Sequence, residues 1–162
     1  MIKSTTLFPQ DFPTKLENTP YVTKICYEDE EEKLDLINHL AERISTIYAT
    51  FLTQEGYEKR SKQLFFYQAP RTFPDQEKVE KFKDTLKSFV STQLKHQVKN
   101  TDFLTLETDA GPMRILGKIL DDCGILPDKY DLHCYFPVKL TTSICLLKQY
   151  REIRVHISGG KG

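Results

Sequence analysis

The chain predicts an α+β fold: a mixed, mostly antiparallel sheet with three helices packed mainly on one face, in the order β-α-β-α-β-α-β-β-β. Three observations carry this expectation. Three stretches place apolar residues at i, i+3, i+4 and i+7, the period of an amphipathic helix. The stretches between them alternate in polarity or are rich in β-branched and aromatic residues. The last third lacks the helical period and reads as a meander, which must be antiparallel, whereas strands alternating with helices suggest parallel crossovers.

Residues 1–20 are polar and carry Pro9, Pro13 and Pro20, so they read as an extended arm, packed down through Leu7, Phe8 and Phe12. YVTKICYE, 21–28, is the first strand, with Tyr21, Thr23, Ile25 and Tyr27 facing one way. Residues 29–54 give the clearest helix, from Leu34 and Ile37 through Leu52 on one side. Glu30, Glu31 and Glu32 fall in its first turn, where the helix dipole favours negative charge, and Gly56 suits its C-terminal cap. His39 sits among Asp35 and Arg43 on the polar side and reads as exposed.

KQLFFYQAP, 62–70, reads as a short strand stopped by Pro70. Asp75 caps a second helix over 76–98, buried through Val79, Phe82, Leu86, Phe89, Val90, Leu94 and Val98, with Asn100 at its end. Its lysines share their face with Glu77, Glu80 and Asp84, the mark of a solvated surface. TDFLTLETD, 101–109, is a strand, and Met113, Leu116, Ile119, Leu120 and Cys123 make the buried side of a third helix. Gly124 ends that helix. Residues 130–136, 138–147 and 150–158 complete the strands. In the last of these Ile153, Val155 and Ile157 point inward, while Glu152, Arg154, His156 and Ser158 point outward. That polar row predicts either a solvated sheet face or an edge position. SGGKG closes the chain as a flexible tail. The domain therefore spans 21–158, between the arm and the tail at 159–162.

Bulk properties narrow the function classes. A chain of 162 residues can bury about 70% of its unfolded surface, so it needs no disulfide or metal staple. No apolar run approaches the roughly 20 residues of a membrane span, and the N-terminus lacks the apolar core of a signal peptide. The expected location is cytoplasmic, whether of the producing cell or of a host cell entered by a translocated effector. Cys26, Cys123, Cys134 and Cys145 form no C-x-x-C pair and read as buried apolar residues. The formal net charge is zero, which weighs against a dedicated nucleic-acid binder. Yet residues 1–57 hold ten acids and five bases, and residues 58–100 hold five acids and ten bases. The simplest use of that layout is internal, an acidic element set beside a basic one.

Candidate chemistry concentrates in DLHCYFPVKLTTSICLL, 131–147. Cys134 as a nucleophile needs a base within hydrogen-bond reach. His133 points to the opposite face of the same strand, and His156 lies on a polar face while Cys134 lies on an apolar one. Asp131, His133, Glu152 and His156 occupy outward positions that could share a face, but they lack a zinc-ligand spacing. LETDAGPMR, 106–114, leads a strand into a helix, but Pro112 removes a donor there and Glu107 and Asp109 repel a phosphate. Tyr135 beside Arg151, Arg154 and His156 has the ingredients for stacking and holding single-stranded RNA, without the aromatic signature of that class.

The reading that follows is a non-enzymatic protein-interaction domain of the cytosol. It would bind a protein partner through the exposed face or edge of the C-terminal strands. The predicted binding residues are Arg151, Glu152, Arg154 and His156, together with the basic stretch Lys59, Arg60 and Lys62. No cofactor or metal is expected. A small hydrolase or transferase using Cys134 with His133 or His156, and RNA binding through the sheet, stand as the alternatives.

Overall fold

Asp29 sets the first helix, α1 (Glu30–Thr50), by accepting a hydrogen bond from the Glu32 backbone N–H at 2.8 Å. Glu32 reaches back to accept from the Glu28 N–H, also at 2.8 Å. Two otherwise orphaned donors are thereby satisfied, in the manner of a capping box. In α2 (Gln76–Lys95) Asp75 performs the predicted capping, accepting from the Lys78 N–H at 2.9 Å. The third helix, α3 (Ile115–Asp122), ends where Gly124 adopts a φ of 72°. There Ile125 N–H bonds back to Leu120 and Gly124 N–H to Asp121. That is the Schellman pattern, for which a glycine's left-handed freedom is needed.

The computed structural model describes residues 8–13, 20–53, 55, 73–96, 103–107, 115–125, 136 and 140–158. Within these lie four strands: β1 (Tyr21–Cys26), β2 (Phe103–Glu107), β3 (Thr141–Leu147) and β4 (Glu152–Ser158). They form one sheet in the order β1-β4-β3-β2, and every neighbouring pair is antiparallel. The α+β class and the three helices stand as expected. The parallel component suggested by strand–helix alternation does not appear among the described strands. The physical reason is the path of the chain. β1 and β2 flank the described sheet from opposite sides, and the later hairpin β3–β4 fills the space between them. The strands expected over 62–70 and 130–136 lie outside the described residues, apart from Phe136, as do the tail and the caps expected at Gly56 and Asn100.

The sheet buries one row from each strand: Ile25 on β1, Leu104 and Leu106 on β2, Thr142, Ile144 and Leu146 on β3, and Ile153, Val155 and Ile157 on β4. This row meets the helices. Tyr48 of α1 and Thr142 of β3, both fully buried, share a hydrogen bond of 2.9 Å across the layer boundary. Phe136 enters the same core, its ring centroid 5.8, 6.0 and 6.3 Å from those of Tyr48, Phe51 and Phe82. The charge asymmetry of the sequence finds its internal use here. Glu42 of α1 receives Lys83 at 3.0 Å and Lys87 at 3.2 Å from α2. Burial alone would raise the Glu42 carboxyl, but the hydrogen bonds and charges of the two lysines outweigh it and hold the group below its ordinary range.

The arm corrects the expectation for His39. Phe8 and Phe12 are buried as predicted, and they lie against the side of α1 that reads as polar. The Phe8 ring centroid lies 5.9 Å from that of His39, and the Arg43 guanidinium stands 5.5 Å above Phe8 while donating to the Phe12 carbonyl at 2.9 Å. His39 is therefore half-buried, with its Nδ1 donating to the Asp35 carbonyl at 2.9 Å.

Candidate functional site at the open sheet face

Alternation along each strand sends every second side chain away from the helices. On β1 these are Val22, Lys24 and Cys26, and on β4 they are Glu152, Arg154, His156 and Ser158. Register brings them into cross-strand rows. Val22 lies opposite His156, which lies opposite Ser143 of β3. Lys24 lies opposite Arg154, which lies opposite Cys145. Cys26 lies opposite Glu152, which lies opposite Leu147. The predicted outward row of the last strand is thus the open face. The expectation of an edge fails, because β4 is held on both sides, by β1 and by β3. Outward polarity alone cannot separate the two cases, since an interior strand of a one-sided sheet shows the same alternation.

The electrostatics of this face are asymmetric. Glu152 takes Arg154 Nε at 3.2 Å on one oxygen and has Lys24 Nζ at 3.7 Å from the other. Its own side chain is only 14% exposed, against 56% for Lys24 and 58% for Arg154. The carboxylate is covered and the two cations are presented, so Glu152 holds Lys24 and Arg154 in place on this face. Val22, 67% exposed, adds an apolar side chain beside the exposed imidazole of His156. Across β3 the same face carries Thr141, Ser143 and Cys145. Cys145 is buried although its strand position points away from the helical core.

Arg151 lies ahead of this row rather than in it. It closes the 3₁₀ turn Lys148–Tyr150 in the left-handed region, with a φ of 53°. Its guanidinium donates to the Glu28 carbonyl at 2.8 Å, and its own carbonyl accepts from the Tyr27 N–H at 3.0 Å. The residue thus ties the β3–β4 turn to the end of β1. Lys59, Arg60 and Lys62 fall outside the described residues, as do Cys134, His133, Asp131 and Tyr135, so the Cys–His pairing is not placed. Cys26 overturns the expectation of a buried thiol. It is exposed at the end of β1, while Cys123 and Cys145 are buried. Neither Val22 nor Lys24 was singled out by the sequence. The signal that could have found them is the alternation of β1 itself, once its pairing with β4 is known.

Among the described residues no three His, Cys, Asp or Glu side chains come together to hold a metal ion. None of the helices among them is long and apolar enough to cross a membrane. No family model, curated protein or solved structure matches the chain.

Proposed function

We propose that this chain is a non-enzymatic interaction domain acting in a cytoplasm, and that it docks a protein partner on the open face of β1 and β4. One observation carries the reading. The helices cover the opposite face of the sheet, while this one presents an exposed valine, two cations held over a covered carboxylate, and an exposed histidine within a few residues of one another. Arginine is enriched at protein interfaces and prominent among the residues that carry binding energy, and the exposed valine beside it adds apolar area for a partner to bury.

The test is photo-cross-linking in the native cytosol from an unnatural side chain at position 22, with position 84 on α2 as the control. A discrete protein adduct should form from position 22, be absent from position 84, and disappear on Arg154→Ala at unchanged Tm. Adducts of equal yield from both positions, or insensitivity to Arg154→Ala, would sink the proposal.

A further inference from the structure

We infer that the β1–β4 face takes an acidic segment of its protein partner, one that sets an apolar side chain two residues from a carboxylate. The inference rests on the docking role proposed above and adds the chemistry of what docks.

The cations supply the first half of the argument. Glu152 engages Arg154 through Nε, and the two terminal guanidinium nitrogens make no hydrogen bond to a described residue. Lys24 stands 3.7 Å from Glu152, within ion-pair range but beyond hydrogen-bond length. Two cations thus share one largely covered carboxylate, and the surface they present to solvent is positive with open donors. As cross-strand partners their stems start about 5 Å apart, close enough for one incoming carboxylate to reach both. The planar fork of arginine suits a two-oxygen acceptor.

The neighbouring row supplies the second half. Val22 and His156 lie two residues along from Lys24 and Arg154 on the same two strands, a step of roughly 7 Å. An extended peptide repeats its own side chains on one face at that same step. A carboxylate over Lys24 and Arg154 therefore places the side chain two residues away over Val22 and the imidazole.

The limits of the patch favour a protein carboxylate over a nucleic-acid backbone. Across Arg154 the next partner on β3 is the uncharged Cys145, and across His156 it is Ser143. Beyond Cys26 the chain passes through Tyr27 into Glu28, Asp29, Glu30 and Glu31, all exposed. A strand of nucleic acid, with a charge about every 3.4 Å, would leave the two cations within a few nucleotides and meet those acids.

The test is NMR titration of the isotope-labelled full chain with the peptide Leu-Ser-Glu-Ser-Leu, the same peptide with Gln for Glu, the same with Lys for Glu, and an oligouridine RNA. The acidic peptide should shift the amides of Val22, Lys24, Arg154 and His156 saturably. Its affinity should fall by about tenfold or more with Lys24→Glu or Arg154→Gln and with added salt, while β2 resonances stay in place to show that the variants fold. Equal binding of the Gln peptide, tighter binding of the Lys peptide, or a stronger response of the same amides to RNA would overturn the inference. So would no response to any of the probes. If the acidic peptide fails while cross-linking from position 22 still captures a protein, the docking role stands and the acidic specificity falls. If both fail, both fall.

Discussion

Replacing Tyr48 by Phe removes one oxygen from the boundary between α1 and the sheet. Tyr48 and Thr142 are both fully buried, and their 2.9 Å hydrogen bond joins residues 94 positions apart. Tyr48→Phe loses a bond with a net worth of about 1 kcal/mol and leaves the Thr142 hydroxyl buried without its partner, for a total near 2 kcal/mol. Thr142→Val, which keeps the shape, strands the Tyr48 hydroxyl at a similar cost. The double variant leaves no orphaned polar atom, so it should lose about 1 kcal/mol or less instead of the roughly 4 that addition gives. Urea unfolding followed by far-ultraviolet circular dichroism measures all four corners of the cycle. In a chain of this size each kcal/mol corresponds to about 2–4 °C in Tm. Strict additivity of the two single changes would refute the reasoning. Alkaline pH supplies a second readout. Burial raises the Tyr48 phenol above its ordinary value. A group whose folded pKa exceeds its unfolded one contributes stability that is complete below the unfolded value, about 10, and is lost as pH rises beyond it. The advantage of the wild type over Tyr48→Phe should therefore shrink above about pH 10.

Two further predictions concern the outer surfaces. Glu42→Gln should cost well under about 1 kcal/mol at pH 7, because the pairs with Lys83 and Lys87 are screened by solvent, and 1 M salt should reduce the difference. The Glu42 carboxyl is depressed in the folded state, so its contribution is present above the unfolded value, near 4.3, and disappears as pH falls through the folded one. A difference that persists undiminished at pH 2 would contradict this. For the thiols, a short pulse of alkylating reagent read by peptide mass spectrometry should modify Cys26 ahead of Cys123 and Cys145 in the native protein. The reverse order would mean that the end of β1 is covered.

How much of this was legible in the sequence depends on the range of the interaction. Local signals were sound. The caps at Asp75 and Gly124, the helical rows of α1 and α2 apart from Leu34, which is exposed, and the alternation of Ile153, Val155 and Ile157 were readable, because each rests on contacts within a few residues. Helix ends were less so. The second helix stops at Lys95, short of Val98, and the first at Thr50, where Phe51, Leu52 and Thr53 turn onto carbonyls three residues back. Pairing was not readable. The same outward row of β4 fits an edge or an interior strand, and only the ladder to β1 decides between them. His39 shows the limit on helices, since a side that is polar by composition can still be covered by a distant phenylalanine. The site divided in the same way. The outward placement of Arg154 and His156 was readable from the period of their own strand, whereas Val22 and Lys24 come beside them only through register.

The sheet order also sets when the molecule can form during synthesis. β1 leaves the ribosome ahead of the other described strands, yet its described partner in the ladder is β4, more than a hundred residues later. Until that last strand emerges, β1 is a strand without the neighbour that completes its backbone pairing, while α1 and α2 are already available to associate. Translation should therefore yield a helical, chaperone-accessible intermediate with an unfilled gap between β1 and β2, and the insertion of the C-terminal hairpin should close it. The open β1–β4 face cannot exist before β4 has paired with β1, so any partner that recognises it reads only chains whose sheet has closed.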